Sequence, residues 1–244
     1  KKIYVLAADY NYGQISTKWV EKIARDNGGE VIGKEFFPLD VNQFGATISK
    51  IQTAKPDMVL NIFVGPAHAA FYGQWASTGM NKQIPMLSTT FGASGEHLRM
   101  PTELTDGILT TYAYYEEIDT PENKAWLAKF RAKHGDGYGY LNDVGMNEYT
   151  GWSLWAEGVR QAKSFDRLKV IEALEAGLSF VGPAGTHRVD PATHHCIFNM
   201  YQAEVKDRKF VIQAKFENVR PTNTGNQCDL IKDPNANAQF EPQL

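Results

Sequence analysis

The chain has 244 residues, 43% of them hydrophobic, enough to bury the core of one large domain or two small ones. Its 25 basic and 28 acidic residues leave a net charge of −3, so neither nucleic acid nor an anionic membrane would meet the basic face it needs. No apolar run approaches the roughly 18 residues of a membrane span, and the opening Lys1, with no leader-like stretch after it, suggests a processed or trimmed chain that does not itself insert in a membrane.

Residues 2–7 (KIYVLA) form a short apolar, β-rich run. A helix is expected over 14–27 with Ile15, Trp19, Val20, Ile23 and Ala24 on one face, stopped by Gly28 and Gly29. Residues 30–37 (EVIGKEFF) read as a second strand, and 44–54 as a helix with Phe44, Ile48 and Ile51 inward. A strand at 58–64 (MVLNIFV), a helix over 67–78 closed by Gly79, and strands at 84–88 and 107–114 complete the series. Continuous apolar strands separated by helices argue for a parallel sheet covered on both faces, joined by right-handed crossovers. Such a doubly wound α/β unit holds its ligands outside the carboxyl ends of the strands.

The middle of the chain changes character. Thr120, Pro121 and Glu122 read as a hydroxyl N-cap, a first-turn proline and an acid, opening a helix that runs to 134. Helices follow at 146–162 and 165–176, and these three helices carry no strand of their own, so their apolar faces call for a sheet. From 182 the pattern turns to β: a Gly-Pro-Ala-Gly turn, a hairpin of 186–189 and 197–205 about the turn at 190–193, and a last strand at 210–214. Beyond 217 the sequence is rich in Asn, Pro and Gln and reads as irregular.

No cofactor is called for. The stretch after the first strand, AADYNYGQ, has the single Gly13 where a dinucleotide fold needs three. His187, His194, His195 and Cys196 are the best metal candidates, but adjacent strand residues point to opposite faces, and turn and hairpin roles suit them better. Glu116 and Glu117 precede a helix start, where acids are favoured without any acid–base chemistry. Neither a nucleophile elbow nor an HExxH zinc motif occurs, so no catalytic residue is assigned. Three clusters remain at consecutive strand ends: Asp9, Tyr10 and Tyr12; Gly65, Pro66 and His68; Ser88, Thr89, Thr90 and Phe91. Flat aromatic faces and neutral hydroxyls suit a small polar ligand held without chemistry. Cys196 and Cys228 fit either one disulfide or two unpaired thiols.

The order of segments resembles type I periplasmic solute-binding proteins of the branched-chain amino acid, urea and amide uptake family. The likeness lies in DYNY after the first strand, GGEV, FPL, IDTPENKAWLAKFRAKHG, EYTGWSLW and LSFVGPAGTHRVDPATHH, and runs to about residue 215. It implies two α/β lobes that close on a hinge. Residues 1–115 would be lobe two, 116–180 helices of lobe one, and 181–244 a return to lobe two with the C-terminal tail. The N-terminal half of lobe one would be missing. Tyr10 and Tyr12 would then cover the ligand, with Gly65, Thr89, Thr90 and, on the crossover side, Tyr149 as further contacts. Amino-acid-binding members place an aromatic near 65 and an acid near 89. Here stand Val64, Gly65 and Thr89, which, within a solute class of urea, amides, amino acids and small organic acids, favours a neutral ligand such as urea or an amide, or an acid bound through lobe one. The resemblance further implies an extracytoplasmic receptor serving an ABC importer through its permease, with a ligand-sensing regulator or receptor ectodomain as the alternative. An oxidising location in turn favours a Cys196–Cys228 disulfide.

Overall fold

The computed structural model describes residues 1–135, 137–221 and 228–238. Part of the irregular tail expected after 217 therefore lies outside the described residues. The chain divides into two compact units, the first made of Lys1–Thr111 and Gln202–Gln213, the second of Tyr112–Tyr201 and the described residues from 214 to 238.

In the first unit β1 (Lys2–Ala8), α1 (Asn11–Asp26), β2 (Glu30–Phe37), α2 (Gly45–Ala54), β3 (Met58–Ile62), α3 (Ala67–Ser77) and β4 (Met86–Ser88) alternate. Two one-turn helices, α4 (Glu96–Arg99) and α5 (Thr102–Thr105), lead into β5 (Leu109–Tyr112). Strands β1 to β5 pair in parallel in the order β2-β1-β3-β4-β5, and the end of β8 (Cys196–Lys206) adds a further strand beside β5. This is the doubly wound sheet expected from sequence. Its core is Val5, Ala7, Leu60 and Ile62, with Val20, Val31 and Leu87 packed against them. An aromatic layer of Phe37, Phe44, Phe63, Phe71 and Trp75 covers one side, its neighbouring rings 5.2–5.6 Å apart.

One helix face differs from expectation. Gly13, Thr17 and Ala24 are the buried positions of α1, while Ile15 and Ile23 are exposed. The reason is a close approach: a Cβ at Gly13 would sit 2.0 Å from the Ala8 carbonyl. The helix start lies directly on the end of β1, and its inward face is set by that glycine rather than by the largest side chains.

The second unit opens with α6 (Pro121–His134), whose cap is as read: Thr120 Oγ1 accepts from the Asn123 N–H at 3.2 Å. Helices α7 (Asp143–Ala162) and α8 (Arg167–Glu175) are capped by Asn142 and Asp166. Strands β6 (Ser179–Gly182) and β7 (Gly185–Val189) precede β8, and β9 (Lys209–Val219) follows it. The antiparallel order β6-β7-β8, with β9 on β8, gives these helices part of the sheet that the sequence reading did not find for them. β6 went unread because its four residues are followed at once by the turn residues Pro183 and Ala184. Along α7, Gly158 lets α8 come close, 3.1 Å from the position of an added Cβ to Val170. Asp207 and Arg208, both at positive φ, make the two-residue turn between β8 and β9.

Candidate functional site

The strand order β2-β1-β3 reverses direction between β1 and β3, and crevices at such switch points hold ligands. Tyr10 and Tyr12 follow β1 there, their rings 6.0 Å apart and 40% and 41% exposed. Large aromatics left half in solvent beside a rigid strand end are free to contact a solute. Asp9 is tied down, its N–H on the Phe37 carbonyl at 2.7 Å and its carboxylate taken by Gln14 Nε2 at 2.8 Å.

Thr89 follows β4. Its hydroxyl lies 3.4 Å from that of Tyr12, so residues 77 apart in sequence meet at the same end of the sheet. Thr90 turns the other way: it is 9% exposed, and its hydroxyl lies 3.3 Å from Ser88 Oγ, which also accepts from the Phe91 N–H at 3.0 Å. Gly65, left-handed at φ 64°, opens on a separate crevice of about 480 Å³ with Ser94, Glu96 and Arg99. Tyr149 belongs to the second unit, on α7, its ring 5.1 Å from that of Trp126 and 6.2 Å from that of Phe180. Within the first unit, then, Tyr10, Tyr12 and Thr89 form one group and Gly65 faces another opening.

Beneath these loops lies a polar group that sequence reasoning passed over: His68, Glu96 and His97, all buried. Glu96 Oε2 accepts from the Gly92 and Ser94 N–H groups at 2.9 and 3.1 Å. Burial pushes both imidazoles down to about 4, so both are neutral at pH 7. Only His68 had been noted, as a strand-end residue, because burial of a polar side chain in a short loop leaves no periodic signal.

The other polar clusters are structural. Glu116 pairs with Arg131 at 2.6 Å and accepts from the Leu141 N–H at 2.7 Å, and the Tyr140 hydroxyl donates to Glu117 at 2.7 Å. Burial pushes Asp143 up to about 6, although it accepts from the Tyr114 N–H at 2.9 Å. The hairpin histidines are dispersed: His187 is buried against Phe198, and His194 meets Glu175 at 2.7 Å. Among the described residues no group of three His, Cys, Asp or Glu side chains could hold a metal ion. Cys196 and Cys228 are half-buried free thiols here, so the bridge expected between them is not formed in this structure. Burial raises the Cys196 thiol above its ordinary range, which keeps it mostly protonated at neutral pH.

A periplasmic binding protein family model matches residues 1–209. A Leu/Ile/Val-binding protein homolog of Brucella melitensis is 25% identical over 219 residues, covering 84% of this chain and 53% of that protein. A leucine-, isoleucine-, valine-, threonine- and alanine-binding protein of Pseudomonas aeruginosa is 28% identical over 185 residues, 76% of this chain and 48% of that one. The chain thus spans about half the length of the curated relatives it matches. Among solved structures, a solute-binding protein of an ABC transporter from Rhodopseudomonas palustris HaA2, in complex with p-hydroxybenzoic acid, superposes with a TM-score of 0.80 at 26% identity, covering 93% of this chain and 63% of that one.

Proposed function

The chain belongs to the periplasmic binding protein family, a family of solute receptors rather than enzymes, and from that premise we propose that it is the solute-gripping part of an extracytoplasmic receptor that delivers a small organic acid with a planar ring to an ABC importer. No helix among the described residues is long and apolar enough to cross a membrane, which suits a receptor that meets its permease from outside.

The observation that carries the choice of solute is the meeting of Tyr12 and Thr89. Two half-exposed phenol rings offer flat apolar contact, and the adjoining hydroxyls offer neutral hydrogen bonds in either direction. No carboxylate stands at position 64, 65 or 89 to balance an ammonium. An amino acid would bring an ammonium that no carboxylate at those positions pairs, at a cost of several kcal/mol if buried. A ring acid brings no ammonium, and its carboxylate, ionised at neutral pH, would be held outside this group of side chains. The p-hydroxybenzoic acid complex of the Rhodopseudomonas protein supports the same class.

Titration calorimetry of the intact protein with 4-hydroxybenzoate, leucine and urea tests this. Binding of 4-hydroxybenzoate at least about tenfold tighter than the other two, a difference near 1.4 kcal/mol, is the expected result. Tight binding of leucine with none of the aromatic acid would overturn it.

A further inference from the structure

We propose that His68, Glu96 and His97 form an acid-sensitive lock, which holds the loop after β4 in shape at neutral pH and releases it when the surroundings acidify. The consequence for ligand release rests on the reading of Thr89 as a ligand contact. The lock itself does not.

The loop of residues 88–96 is fastened at two points. Ser88 Oγ accepts from the Phe91 N–H at its start, and Glu96 Oε2 accepts from the Gly92 and Ser94 N–H groups at its end. Gly92, at φ 94°, lies so close to Phe210 that a Cβ would stand 2.4 Å from the ring. Few other conformations of this turn fit, and the Glu96 carboxylate binds two of its amides, while the Ala93 and Gly95 N–H groups donate to the Thr90 and Gly92 carbonyls at 3.3 and 3.0 Å.

An imidazole lies on each side of that carboxylate in the chain and in its electrostatic field. His68 is stacked on Tyr72 at 5.6 Å and meets the edge of Phe91 at 5.9 Å. Neither of its ring nitrogens has a hydrogen-bond partner, the Phe63 carbonyl being near but outside hydrogen-bond geometry. His97 packs on Phe210 at 4.3 Å. Among the described residues, the titratable and charged groups that act on the pair are Tyr72 from α3, Glu96 and Arg99 from α4; β9 presents Phe210, which does not titrate.

With both rings neutral, Glu96 spends its charge on the loop amides. A proton on either ring creates a buried cation in the field of Glu96, so the imidazolium and the loop amides compete for that carboxylate. The sign follows from burial. Both histidines titrate lower in the folded protein than the ordinary 6.5, so their contribution to stability is complete above about 6.5 and is lost as pH falls toward about 4. The first segment to feel the loss is the one that Glu96 fastens, which includes Thr89 at its start.

Amide hydrogen exchange over residues 88–99, corrected for the intrinsic pH dependence of exchange, tests the lock without any ligand. In the intact wild-type protein, protection at Gly92 and Ser94 is expected to fall by about tenfold or more between pH 7 and 5, consistent with local rather than global opening. In a His68→Gln, His97→Gln double variant, which stays neutral throughout, that fall disappears. Unchanged wild-type protection down to pH 4.5, or a fall that survives in the double variant, would overturn the proposal. Should the double variant fail to fold, the ring titrations of the wild type decide: both imidazoles must titrate below about 5, and an ordinary value near 6.5 for both removes the device. A protein that binds no aromatic acid can still show the lock, and one that binds it can lack the lock, so the two readings fail separately.

Discussion

Tyr12 stands where three constraints meet. It follows a strand end, its ring is half in solvent, and its hydroxyl reaches Thr89. Replacing it with Ala in the intact protein removes a large contact and one polar partner, which at a binding hot spot is worth roughly 1–4 kcal/mol, or about one to three orders of magnitude in affinity. Tyr12→Phe keeps the ring and loses the hydroxyl, so a smaller loss of about 0.5–1.5 kcal/mol is expected. Folding should be little affected, since the side chain is not core. His194→Ala is the contrasting variant. It breaks an exposed pair with Glu175, costing about 1 kcal/mol of stability or less, and should leave affinity unchanged. Calorimetry on both variants separates these outcomes; an intact Tyr12→Ala beside a crippled His194→Ala would move the site to the hairpin.

At the scale of elements, the cysteines give a sharp test. The tail returns to the β7–β8 turn twice: Arg220 lies 3.6 Å from Asp190, and the Leu230 N–H donates to the Ala192 carbonyl at 2.8 Å. Cys228 lies between these two anchors in sequence, and Cys196 opens β8 just past the same turn. Oxidation is expected to join the pair, closing a loop worth about 3–4 kcal/mol on the chain-entropy model. Thiol labelling under denaturing, non-reducing conditions should then find no free cysteine after oxidation; two labelled thiols would show that the Arg220–Asp190 pair and the Leu230 hydrogen bond hold the tail without a bridge. Much of the element order was legible in advance, because strands such as MVLNI and the Thr120–Pro121 helix start carry their signals locally. The inward face of α1 was not, since Gly13 acts through a contact with β1 that no periodicity encodes. Nor was β6, four residues whose only support is the partner strand β7. Among the candidate residues the strand-end rule named Tyr12 and Thr89, whose hydroxyls meet, but could not tell that Thr90 faces inward, because that depends on a bond to Ser88 across a two-residue turn.

Considered whole, the molecule leaves one side of α7 bare. Val144, Trp152 and Trp155 are exposed, Trp152 by 62%, and Phe165 and Leu168 beside the start of α8 are more than 60% exposed. Aromatics gathered in this way, with Trp152 and Trp155 rings 5.8 Å apart, favour association. The chain on its own is expected to bind the dye ANS and to sediment as a concentration-dependent mixture, and Trp152→Ser with Trp155→Ser should reduce both; a monodisperse, dye-silent wild type would show that the face is harmless. The connectivity carries a different consequence. The first unit is interrupted after Thr111 and resumes at Gln202, where the end of β8 bonds to Gly107 and Ile108 beside β5. Whichever way the chain is fed out, these partners arrive far apart, with the 90 residues 112–201 between them. Until residues 202–206 return, the sheet of the first unit ends on a raw β5 edge, a ready template for another chain. The order of emergence therefore makes that edge the last part of the first unit to be sealed.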